Sequence, residues 1–209
     1  MGTFMPSWTL ENADETAAAH KYTFFKSPRE TIALVKPGDV VKLIFVFESE
    51  NPEAPRAERM WVFVDSIDPN GKFVGRLNNH PSWIQDLKLD DQVAFDASNI
   101  INTEHDDDDN LVERYIKRCF VTNRILTDGA RVGYLYREPP DNERDSGWRF
   151  TANDESDEYM EDSNNLAFVS IGAVLSKDDS FIHLLDSPEG SSFIFDVPTQ
   201  SFVELNEDE

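Results

Sequence analysis

The sequence predicts an α+β chain of two small domains, and three observations carry that reading. First, 209 residues with 39% apolar content, including 15 Phe and 4 Trp, supply enough bulk for real cores. Second, one or two short helical patterns are followed by runs of β-branched and aromatic residues, punctuated by Gly, Pro and Asn turn signals. Third, Glu104-His105-Asp106-Asp107-Asp108-Asp109-Asn110 separates two apolar-rich halves. Four consecutive aspartates repel one another and bury nothing, so 104–110 reads as an acidic linker between domains at 1–103 and 111–209. The first domain is expected to be a short-stranded antiparallel sheet or SH3-like barrel with N-terminal helices. The second is expected to be a mixed α+β domain.

In the first half, 10–20 reads as a short helix carrying Ala17, Ala18 and Ala19 near its end. Ser27-Pro28-Arg29-Glu30 resembles a helix start, with Ser27 as the cap, Pro28 first and Glu30 closing the capping box. That helix runs through Ile32, Leu34 and Val35 until Pro37-Gly38 stops it. The period then changes. Strands are expected at 40–47, 60–64, 73–77 and 92–95, with Asp68-Pro69-Asn70-Gly71 as the turn between the second and third. Trp61, Val62, Phe73 and Leu77 are assigned to the first core.

In the second half, 114–125 leans to strand through Cys119-Phe120-Val121-Thr122. Asp128-Gly129 marks a turn and 132–136 a strand. A long loop follows from Glu138 to Gly147, then a short aromatic strand at 148–150. Residues 153–165 form an acidic polar stretch, a helix starts near Ser170, and 192–196 is the final strand. Val132, Leu135, Phe168 and Phe193 are assigned to the second core. Trp148 is expected to be buried, with Arg149 held by an acid from 150–209.

Charge excludes whole classes of function. Forty-one acids against nineteen bases, net −22, oppose nonspecific nucleic-acid binding and attachment to anionic membranes. The same balance favours a basic protein partner. A single cysteine, Cys119, fits a reducing compartment. The N-terminus lacks the basic start and apolar core of a signal peptide, and no run is long enough to span a bilayer. A cytoplasmic protein is expected.

No chemistry stands out. The four histidines (His20, His80, His105, His183) have no second His or Cys at ligand spacing, so no metal site is expected. Cys119 reads as a core thiol although Arg118 adjoins it. No nucleophile elbow and no phosphate-binding glycine motif occurs. No enzyme and no cofactor is expected. Charge distribution says more: residues 111–149 hold eight bases and six acids, whereas 150–209 hold one base and fifteen acids. Asp154, Glu155, Asp157, Glu158, Glu161 and Asp162 place six acids in nine residues around Tyr159. This stretch is the expected partner-binding surface, with Tyr159 as anchor; Asp186 and Glu189, flanking Ser187-Pro188, are its second part.

Two resemblances join this reading. Gly133-Tyr134-Leu135-Tyr136-Arg137-Glu138-Pro139-Pro140, Asp145-Ser146-Gly147-Trp148-Arg149-Phe150, Asp154-Glu155, Asn164-Asn165 and the run from Leu184 to Phe193 resemble a bacterial family once classed as an uncharacterised domain. That family was later placed among polymorphic-toxin immunity proteins, under the number thirty-three. Gly38-Asp39-Val40-Val41-Lys42-Leu43, Glu58-Arg59-Met60-Trp61-Val62, Gly75-Arg76-Leu77-Asn78-Asn79 and the run from Leu87 to Val93 resemble a second bacterial family of unknown function. Neither brings a catalytic residue. The first resemblance implies a non-enzymatic immunity protein that binds and neutralises a basic toxin or nuclease through an acidic surface. The alternative is a general protein- or peptide-binding regulatory module, with Trp61, Phe63, Phe73 and Trp83 forming an aromatic groove.

Overall fold

The computed structural model describes residues 6–205; the N-terminal reading above therefore lies partly outside the described residues. By contact the chain divides into two units, Met1–His20 with Phe24–Asp108, and Lys21–Thr23 with Asp109–Glu209. Each is built on one six-stranded sheet. The fold is mixed α+β, with few and short helices, as the sequence predicts.

The first unit contains β1 (Trp8–Leu10), α1 (Ala13–Ala19), α2 (Arg29–Ile32), β2 (Val40–Phe47), β3 (Ala57–Ile67), β4 (Phe73–Leu77), β5 (Gln92–Phe95) and β6 (Ile100–Thr103). All pairings are antiparallel, in the order β1-β2-β3-β4-β5. One edge of β2 is shared: β1 pairs with its residues Phe45 to Phe47, and β6 with Val41 to Leu43. A register shift in β3 between Val64 and Ser66 helps curl the sheet. The near-continuous apolar run of β2 follows from burial on both faces. Val41, Leu43, Phe45 and Phe47 enter the main core, while Ile44 packs with Ala13 of α1 and Ile101 of β6.

Two expectations for this unit change. Ser27 does not cap α2: it is buried, and both its N–H and Oγ donate to the Ile101 carbonyl, at 2.9 and 3.3 Å. Its tie to β6 outweighs the local capping signal, and α2 is a single turn behind Pro28. Val62, Phe73 and Leu77 are core residues, but Trp61 is only half-buried. Alternation in β3 sends Met60, Val62 and Val64 inward, leaving Trp61 on the other face with Lys42 Nζ 4.6 Å from its ring centroid.

The second unit contains α3 (Leu111–Arg114), β7 (Arg118–Thr122), α4 (Asn123–Leu126), β8 (Tyr134–Arg137), β9 (Asp145–Thr151), α5 (Asp157–Glu161), β10 (Leu166–Ser170), α6 (Ile171–Leu175), β11 (Ser192–Asp196) and β12 (Ser201–Glu204). Its sheet runs β10-β7-β9-β8-β11-β12, with β7 and β9 parallel and the other pairs antiparallel. Ser170 caps α6, its Oγ accepting from the Ala173 N–H. Val132, Leu135 and Phe193 are in the core as expected, joined by Cys119, Trp148, Phe150 and Phe181. Phe168 is not. It lies opposite Phe120 on the far side of β7, their rings 4.8 Å apart, because Cys119 and Val121 take the inward positions.

Tyr22 belongs to this second core, although it is encoded between two segments of the first unit. Its hydroxyl donates to Asp179 at 2.8 Å, and its ring meets Tyr115 edge-on. Gly172 permits the approach: a Cβ there would lie 2.3 Å from the Tyr22 carbonyl oxygen.

Candidate functional site

The acidic stretch at 154–162 divides by what each carboxylate touches. Asp154 pairs with Arg124 at 2.6 Å, which holds its carboxyl below the usual range. Glu155 turns inward and ties three backbone or hydroxyl donors: Thr122 Oγ1 at 2.5 Å, the Ala152 N–H at 2.8 Å and the Asp154 N–H at 3.2 Å. These two acids brace the backbone behind β9. Asp157, Glu158 and Glu161 stand exposed on α5, which Ser156 caps by accepting from the Tyr159 N–H. Two of them lie in the first helical turn, where negative charge is favoured. Asp162 is exposed and accepts from the Asn164 N–H, starting the next turn. Tyr159 is half-buried, and its carbonyl accepts from Asn165.

Arg149 is the organising cation of β9, and its acidic partners lie at 138–145. Its Nη1 and Nη2 donate to the two oxygens of Asp145 at 3.0 and 2.9 Å, and its Nε donates to Glu138 at 3.0 Å. Asp141 lies 3.6 Å away, and the guanidinium sits 4.9 Å from the Phe120 ring centroid. The acid expected from 150–209 is therefore replaced by three acids that precede Arg149. Register explains this: Arg149 stands opposite Phe120 and Tyr136, on the face where the 138–145 segment returns. Burial alone would raise the Asp145 carboxyl; Arg149 and the Asp141 and Gly147 amides outweigh it and hold the group at about 2. Gly147 makes the return possible. Its φ is +82°, and a Cβ would stand 2.1 Å from the Glu138 carbonyl oxygen.

The second part of the expected surface lies elsewhere. Asp186 and Glu189 are both exposed, and Asp186 lines a cavity of about 380 Å³. No residue of 154–162 lines that cavity; its charged neighbours are Arg114, Lys117 and Arg137. Sequence reasoning missed these bases as a group. The signal available was the excess of bases over acids in 111–149.

Residues 104–106, read as the start of a linker, are anchored within the first unit. Asp106 accepts from Asn102, from the Thr103 N–H and from the Thr103 hydroxyl. The Glu104 carboxylate accepts from the Val40 N–H at 3.0 Å, and His105 Nε2 lies 2.8 Å from Asp39. Among the described residues, Asp39, Glu104 and His105 bring potential ligand atoms within 4.8 Å of one another. Asp39 is already engaged there by His105 and by the Lys36 N–H and Nζ, which together hold its carboxyl at about 2. Cys119 is buried, and burial pushes its thiol up, away from a nucleophilic thiolate. Trp83 and Phe73 of the expected aromatic groove pack on or in the first core, and Phe63 is exposed.

Among the described residues no helix is long and apolar enough to cross a membrane. No curated protein and no solved structure matches this sequence. Residues 119–206, spanning β7 to β12, match the Immunity protein Imm33 domain. Residues 6–123 match the family described as Uncharacterized protein conserved in bacteria (DUF2314). Since that second match covers more than half of the 209 residues, the chain belongs to the DUF2314 family and has an Imm33 domain match in its C-terminal part.

Proposed function

We propose that the protein is a cytoplasmic immunity protein that neutralises a basic bacterial toxin or nuclease by binding it, with no chemistry of its own. The observation that carries the reading is the immunity-domain match over 119–206. The exposure of Asp157, Glu158 and Glu161 on one short helix supports an acidic contact surface. Their charges are free to steer a basic partner, whereas Asp154 and Glu155 serve the fold. An inhibitor needs complementarity to its target, not catalysis, and complementary charge speeds encounter and rejects wrong partners. Co-expression with a toxin candidate encoded beside this gene tests the reading: cells survive with the protein and die without it. Equal killing in both cases rejects it.

A second reading, a peptide-binding regulatory module, is supported by a hollow of about 490 Å³ in the first unit. Ile32, Val35, Ile67 and Phe73 line it, with Arg29 and Lys26. Capture of a defined peptide by a protein that gives no protection from any toxin favours that reading.

A further inference from the structure

One cavity in the second unit runs against the charge of the whole protein. It encloses about 380 Å³, and its lining sets Arg114, Lys117 and Arg137 against the single acid Asp186, in a protein of net charge −22. Tyr115 and the buried Trp148 supply aromatic wall. Arg137 is held in place on two sides. Its Nη1 donates to the Ser187 carbonyl at 2.5 Å, and its guanidinium lies 5.7 Å from the Trp148 ring centroid. Its Nε is buried out of reach of solvent and has no acceptor among the described residues, so the outer guanidinium edge is what the cavity can offer a ligand. Arg114 pairs with Asp109 at 3.2 Å, both exposed, and Lys117 is exposed.

A planar carboxylate is the group whose geometry best matches the arginine fork. The aromatic wall suits the methylenes that carry a carboxylate in a protein. Asp186 in the same wall disfavours the doubly charged phosphate and offers a site for a neighbouring base.

We propose that this cavity receives a carboxylate of the protein partner, from an Asp or Glu side chain or from its C-terminus, anchored by Arg137 and drawn in by Lys117 and Arg114. The assignment rests on the binding reading above and adds to it. The partner would present an acid within a basic surface, the acid meeting Arg137 and a flanking base meeting Asp186. Such alternation is also what makes recognition selective, because a uniformly basic competitor meets repulsion from Arg114, Lys117 and Arg137.

The test uses the full-length protein, isotopically labelled, titrated with N-acetyl-glutamate N-methylamide and separately with inorganic phosphate. The reporter is the Trp148 indole N–H resonance, which originates beside the cavity and donates to the Leu185 carbonyl. The expected result is a saturable shift with the carboxylate probe. That binding weakens by about tenfold or more in Arg137→Gln and in the exposed double variant Arg114→Ser with Lys117→Ser, as loss of charge-assisted contacts requires. If Arg137→Gln lowers folding stability, the double variant carries the test alone. No saturable shift at millimolar probe, an equal response in both variants, or tighter binding of phosphate than of the carboxylate overturns the assignment. If the probe fails to bind while co-expression still protects cells, the cavity assignment falls and the immunity reading stands. If the probe binds as expected and co-expression gives no protection, the immunity reading falls and the carboxylate site stands.

Discussion

Arg149 and Asp145 form a bidentate pair inside a single strand, four residues apart, with Asp145 fully buried and the Arg149 side chain 9% exposed. They span Gly147, whose left-handed backbone lets β9 bend so that both side chains converge on one side. Removing the cation would strand a carboxylate where water cannot reach it. Arg149→Ala is therefore expected to destabilise the second unit by about 3–5 kcal/mol, read from denaturant midpoints. Arg149→Lys should recover only part of that loss, since an ammonium cannot form two parallel bonds. An Arg149→Ala variant with the wild-type midpoint rejects this account.

The same pair sets a pH dependence. Asp145 titrates at about 2 in the folded protein, below its ordinary value of 3.8. A carboxyl lowered on folding contributes stability that is complete above its unfolded pKa and drains as pH falls through the folded one. Wild-type protein should thus lose this contribution between about pH 4 and pH 2. In Arg149→Ala the buried carboxyl is relieved by protonation, so the gap between the two proteins narrows on acidification. Parallel urea titrations at neutral and acid pH check this; a constant gap is the contrary result.

Two glycines separate backbone strain from steric clash. Gly129 has φ of +79° with nothing within 4 Å of where a Cβ would stand, whereas Gly147 has φ of +82° and a carbonyl oxygen at 2.1 Å. Gly129→Ala should cost about 1–2 kcal/mol, from the left-handed conformation alone. Gly147→Ala should cost clearly more, because β9 must move away from Glu138. Equal losses by thermal or chemical denaturation would show that the clash is relieved without cost.

Tyr22 ties a piece of the first half of the sequence into the second core. Tyr22→Phe removes the hydrogen bond donated to Asp179 and the one accepted from Lys21 Nζ, and should cost about 1 kcal/mol. Tyr22→Ala also empties a space beside Tyr115 and Gly172, and should cost about 3–5 kcal/mol. Hydrogen exchange should localise the loss to α6 and β7. Loss confined to residues 24–108 contradicts the assignment of Tyr22.

For the proposed immunity role, replacing Asp157, Glu158 and Glu161 together with Ser should slow association with a cognate partner and leave the fold intact. The wild-type rate should itself drop between low and physiological salt, where exposed charges are screened within about 8–10 Å. Stopped-flow association at several salt concentrations reads both effects. An unchanged rate in the triple variant assigns α5 no part in steering.

Local pattern is what could be read without coordinates. The strands at 40–47 and 73–77, the aromatic Trp148 and Phe150, and the helix start near Ser170 each act over a few residues, and each has the predicted form. Both family resemblances were also legible, because they rest on contiguous motifs. Whatever depended on a distant partner was set by the folded arrangement instead. Ser27 forsakes a helix cap for the Ile101 carbonyl, Arg149 finds acids that precede it, and Glu155 turns from solvent to Thr122. The bases of the carboxylate cavity come from α3, the approach to β7 and the end of β8, and sequence spacing says nothing of their convergence. A side chain's periodicity reports which face of an element it occupies; which charge waits across that face is settled only when the strands are ordered in the sheet.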